Sequence, residues 1–115
     1  MAYVDGFVAA VPEANREAYL AHAGRMAGII RRLGAERCVE TWGDDVPEGE
    51  HTSFPMAVRR EPGEAVIFSW VWWPDKATRD VAWKAIMTDP EAMAEEMPFD
   101  GKRMLLGGFE VIVDA

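Results

Sequence analysis

The sequence has one cysteine, Cys38, which excludes an intramolecular disulfide framework, and it offers no Cys-x-x-Cys or paired Cys/His spacing for zinc. Positive charge is also scarce. Twelve Lys and Arg against twenty Asp and Glu give a net charge of −8, a field that repels phosphate backbones and anionic membrane surfaces. Nucleic acid and membrane are therefore not expected partners. No apolar run approaches the roughly 18 residues of a membrane span, and no basic stretch precedes an apolar one after Met1. Gly-rich phosphate loops, nucleophile elbows and zinc-protease motifs are missing as well. These absences point to a protein of the cytoplasm that works without metal or cofactor.

What is present suits one globular domain over residues 1–115, since half of the chain is hydrophobic and 115 residues leave no room for a second core. Residues 3–11 are almost wholly apolar apart from Asp5, and read as a strand buried on both faces. Tyr19, Ala23, Met26, Ile30 and Leu33 then recur at spacings of four and three, a helix opened near Asn15 and closed by Gly34. Residues 37–42 form the next strand, with Cys38, Glu40 and Trp42 sharing one face. An acidic loop over residues 43–52 follows, then an expected hairpin of Phe54–Arg60 and Ala65–Trp73 around Glu61-Pro62-Gly63-Glu64. Asp75 caps a second helix, in which Ala77, Val81, Ala85 and Ile86 are expected to point inward. The last strand runs from Met104 to Val113, with Gly107-Gly108 suggesting a bulge.

The order is a βαββαβ plan with one extra hairpin strand: an α+β fold whose antiparallel sheet carries two helices on one face if it is ferredoxin-like. Val66, Phe68, Trp70 and Trp72 alternate with Ala65, Ile67, Val71 and Trp73, so the face without helices is apolar too. Soluble monomers rarely leave such a face uncovered. A homodimer through that open sheet face is the expectation.

Several segments resemble a known family. Residues 3–7 (YVDGF), Glu40-Thr41-Trp42, Phe68-Ser69-Trp70, Arg79-Asp80, Asp89-Pro90, the MPFDGKRM stretch at 97–104 and GGFE at 107–110 are similar to the YbaA-like family of small bacterial proteins. The likeness covers essentially the whole chain. It implies a ferredoxin-like fold of the dimeric α/β-barrel type and no assigned function.

Residues 97–103 place Asp100, Lys102 and Arg103 beside apolar Met97, Pro98 and Phe99, a composition suited to a small organic anion. The bland alternative is a structural loop whose Asp100 caps a turn, whose Gly101 takes a positive φ and whose cations pair with carboxylates. Asp5, Glu40 and Glu110 interrupt apolar strands, where a carboxylate needs a partner or acts as a base. Glu40 and Asp100 are the candidate proton-moving residues. Trp42, Trp70, Met97, Phe99, Arg79, Lys102 and Arg103 are the candidate ligand-binding set, although tryptophans more often belong to core or interface. No residues are assigned to a metal, and neither His22 nor His51 has a partner at ligand spacing. The reading that follows is a homodimeric small-molecule-binding domain; the alternative is a cofactor-independent monooxygenase- or isomerase-like enzyme acting on a small aromatic or anionic metabolite.

Overall fold

The computed structural model describes residues 1–94 and 96–115. Four strands form one sheet: β1 (Tyr3–Pro12), β2 (Arg37–Trp42), β3 (Glu64–Trp73) and β4 (Leu105–Glu110), in the order β2-β3-β1-β4. All three pairings are antiparallel. The most apolar strands, β1 and β3, occupy the centre, where both of their edges are hydrogen-bonded to neighbours.

Helix α1 (Arg16–Arg32) joins β1 to β2, and α3 (Lys76–Thr88) follows β3. Asp75 accepts the Thr78 amide at 2.7 Å and so starts α3 as the sequence implies. Tyr3, Val71 and Trp73 from the sheet pack with Ile30 of α1 and with Ala82 and Ile86 of α3, which places both helices on one face. A second cluster joins Ala9, Val11 and Ile67 to Tyr19 and Ala23 of α1. Trp73 is fully buried; at about 25 cal/mol per Å², an indole of about 200 Å² contributes about 5 kcal/mol.

Five expectations change. The extra hairpin strand is absent, because Phe54–Ala57 forms a short helix, α2, capped by Ser53 Oγ at 3.1 Å from the Met56 amide, with Pro55 in its first turn. The alternation of Phe54, Met56 and Val58 imitates a strand, but the Ser-Phe-Pro start signal prevails. In α3 the inward stripe is Arg79, Ala82, Trp83 and Ile86, whereas Val81 is 71% exposed and Ala77 and Ala85 also face out. Arg79 and Trp83 turn in because Asp5 on β1 awaits their donors. No bulge forms at Gly107-Gly108, which pair in unbroken register with Gly6 and Asp5. Strand β4 ends at Glu110, short of Val113, and Gly101 does not take a positive φ. Beyond α3 lie a short helix, α4 (Pro90–Met93), and a 3-10 turn at Gly101–Arg103.

Candidate functional site

The two core clusters do not meet completely. Between them a cavity of about 510 Å³ opens under the helices, lined on the sheet side by Asp5, Phe7, Glu40, Ile67, Ser69 and Val71. These residues come from adjacent strands in fixed register: Asp5 stands opposite Val71, Phe7 opposite Ser69, and Ser69 opposite Glu40. Side chains two apart along a strand share a face, so the register alone places both carboxylates on the helix side. Tyr19, His22, Met26 and Ile30 of α1 and Arg79, Trp83 and Ile86 of α3 complete the walls. The rim is rich in methionine, with Met87, Met93, Met97 and Met104 beside Phe99 and Leu106.

The two carboxylates have different surroundings. Asp5 is buried and saturated: its oxygens accept Trp73 Nε1 at 2.8 Å, Trp83 Nε1 at 2.7 Å and Arg79 Nη2 at 2.7 Å. Arg79 also donates Nε to Asp5 and Nη1 to Asp80, and its guanidinium lies 5.3 Å from the Tyr3 ring centre. The hydrogen bond to Asp5 raises the proton affinity of Arg79 further. It anchors the base of α3 and has no spare capacity for chemistry.

Glu40 instead accepts the Tyr19 hydroxyl on Oε1, with Ser69 opposite it on β3. Its donor is a phenol, where those of Asp5 are a guanidinium and two indoles. Solvent reaches it through the cavity, yet partial burial raises its pKa above the ordinary carboxylate value, against the opposing pull of Tyr19, of nearby His22 charge and of Ser69. Burial, reinforced by the adjacent carboxylate, raises the Tyr19 phenol well above its usual range. Tyr19 is therefore the donor and Glu40 the acceptor of this hydrogen bond. Burial likewise pushes the Cys38 thiol up, away from reactivity.

Of the residues singled out from sequence, Asp5, Glu40, Arg79, Met97 and Phe99 line this cavity. Asn15 helps hold the last two there: its Nδ2 donates to the Pro98 carbonyl at 2.9 Å, while Phe99 packs 5.9 Å from the Tyr19 ring. Trp42 stands behind the wall, edge-on to Tyr19 at 6.1 Å, and Trp70 lies on the opposite face of the sheet among Phe68 and Gly6. Asp100, Lys102 and Arg103 do not reach the cavity. Asp100 caps the turn by accepting the Lys102 amide at 3.0 Å, and Arg103 binds Glu64. Lys102 and Arg103 border a separate cleft of about 330 Å³ with Ala57, Arg59, Met104 and Leu105. Sequence reasoning missed Tyr19, His22, Ser69 and Trp83 as cavity residues. Ser69 carried a usable signal, being the single hydroxyl in the apolar run of β3. No three His, Cys, Asp or Glu side chains among the described residues lie close enough to share a metal ion. No helix among them is long and apolar enough to cross a membrane.

Residues 2–101 match the family model described as "Protein of unknown function (DUF1428)". The chain is 50% identical over 116 residues to "Uncharacterized protein YbaA" of Escherichia coli strain K12, covering 99% of both chains, and equally to its counterpart in Shigella flexneri. A solved structure titled a putative amidohydrolase/peptidase from Burkholderia cenocepacia aligns at a TM-score of 0.31 and 16% identity, over 96% of this chain but 27% of that one, a likeness too slight to carry an argument. The family-model match and the full-length identity agree with each other, and the chain belongs to the YbaA-like family of proteins of unknown function.

Proposed function

We propose that the protein is a homodimeric small-molecule-binding domain of the cytoplasm, with a ferredoxin-like fold of the dimeric α/β-barrel type. The strand order β2-β3-β1-β4 with a helix after β1 and after β3 supports the fold reading. The apolar outer face, where Phe68 is 42% exposed and Phe109 62%, supports the dimer. One observation carries the binding role: a mostly apolar cavity of about 510 Å³ whose wall holds an accessible carboxylate, Glu40.

A thermal-shift screen of metabolites against wild type and Met26→Trp tests this role. A ligand raises apparent stability by mass action, and the indole added at Met26 fills the cavity. Compounds that stabilise wild type and not the folded variant are the expected result; a wild type that no class of compound shifts defeats the reading. The raised proton affinity of Glu40 favours a second role, a cofactor-independent enzyme in which Glu40 takes a proton from bound substrate. Turnover of a screened compound that is lost in Glu40→Gln would distinguish chemistry from binding.

A further inference from the structure

The electrostatic inventory of the cavity says which ligand head it accepts. Arg79, its one arginine, is committed to Asp5 through Nε and Nη2 and to Asp80 through Nη1. Arg103 and Lys102 border the other cleft, and Arg103 is engaged by Glu64 and Asp100. His22 lines the same wall near Glu40. An incoming anion thus meets Glu40, and among the described lining residues the single guanidinium, that of Arg79, is already engaged by Asp5 and Asp80.

Glu40 has acceptor capacity to spare. A carboxylate offers about four lone-pair sites, and the Tyr19 hydroxyl uses one of them, on Oε1. The rest of the cavity is apolar, and its rim of Met87, Met93, Met97 and Met104 adapts to varied shapes because thioether side chains are unbranched and polarizable.

From this we infer that the ligand is a small apolar or aromatic molecule carrying one hydrogen-bond donor head, an ammonium or a hydroxyl, seated on Glu40, and that carboxylates and phosphates of the same body are rejected. The inference rests on the reading of the cavity as a small-molecule site. It adds the sign and the polarity of the ligand.

Four probes with one phenethyl skeleton test it: phenethylamine, phenethyl alcohol, hydrocinnamate and ethylbenzene, titrated into the full chain by ligand-observed NMR. A charge-assisted hydrogen bond to Glu40 predicts that the amine, the alcohol or both bind about tenfold or more tightly than ethylbenzene and hydrocinnamate. In Glu40→Gln an ammonium loses that advantage, whereas a hydroxyl, which still donates to the amide oxygen, keeps most of it; the two heads are thereby told apart. Hydrocinnamate binding as tightly as the donor probes overturns the inference, and so does ethylbenzene binding equally well, although in both cases the cavity remains a binding site. Binding by none of the four removes the cavity reading and the inference together.

Discussion

Arg103 grips Glu64 with two parallel hydrogen bonds, Nη1 to Oε1 and Nη2 to Oε2, each 2.8 Å long, across 39 residues of sequence. The same Nη1 donates to the Arg59 carbonyl at 2.9 Å, and Nε reaches Asp100 at 3.1 Å. One guanidinium therefore fastens the 97–103 segment to the start of β3 and to the turn after α2. Arg59 sits in that turn at φ 51°, the only non-glycine residue with positive φ among those described. The fork geometry matches arginine and not lysine.

Replacing Arg103 should therefore lower stability and leave cavity binding largely intact. Arg103→Ala strips the partner from a buried carboxylate, and Arg103→Lys, which has no planar fork, should restore little of the loss. The hydrogen bond from Arg103 lowers the Glu64 pKa, so this stabilisation is present above the ordinary carboxylate pKa and is lost as pH falls through the folded value. Chemical denaturation across the acid range should show wild type losing more stability than Glu64→Gln. Equal acid slopes for the two proteins would contradict the assignment.

Asp5 receives two indole N–H groups and a guanidinium within the core, and truncating it leaves all three donors unpaired. Asp5→Ala should cost about 3–5 kcal/mol in urea unfolding, the usual loss when one side of a buried ion pair is removed. A loss under about 1 kcal/mol, typical of an exposed pair, would mean that the cluster does not hold α3 to the sheet. Trp83 fluorescence should change in the same variant.

These two clusters also mark how far the sequence could be read. Strands β1, β2, β3 and β4 and helices α1 and α3 are legible because apolar residues repeat at periods of two or of three and four, and periodicity is a local property. The inner face of α3 is not, since Arg79 and Trp83 look like surface and rim residues until Asp5, more than 70 positions away, is folded against them. For the same reason Arg103 reads as a ligand-binding cation beside Phe99, when its charge belongs to Glu64. Long cationic side chains reach about equally far in several directions, and only the distant partner decides which way they point. Glu40 was legible because strand parity fixes its face, whereas Tyr19 looked like ordinary core until its hydroxyl met Glu40.

Glu40 and Tyr19 should titrate as linked groups. The phenol stabilises the ionised carboxylate, so Tyr19→Phe should raise the Glu40 pKa beyond its already elevated value. Because the folded value is raised, the protonated form is favoured by folding, and this contribution fades as pH rises through the folded pKa. Carbon-detected NMR titration of the Glu40 carboxyl in both proteins measures the effect directly. A Glu40 pKa that falls in Tyr19→Phe would show that the hydroxyl does not donate to the carboxylate.

The last prediction concerns the outer face of the sheet. Val4, Val8, Phe68, Trp70, Trp72, Leu105 and Phe109 share this face by register, and α2 shelters only one end of it, where Val58 packs with Ala10 and Val66. Phe54 adds a ring 6.0 Å from Phe68, extending the apolar surface and leaving it half exposed. If a second copy covers this surface, wild type should run as a dimer in size-exclusion chromatography with light scattering. Trp70→Glu places a charge at the centre of the patch and should shift the mass toward a monomer. Leu20→Glu changes an exposed apolar residue of α1, away from that face, and should leave the mass unchanged. Because a charge at Trp70 can also disturb the sheet, circular dichroism must show a folded variant before its mass is interpreted, with Phe109→Glu on edge strand β4 as the milder second probe. A wild type that remains monomeric at micromolar concentration would defeat the dimer, and the aromatic face would then need another explanation.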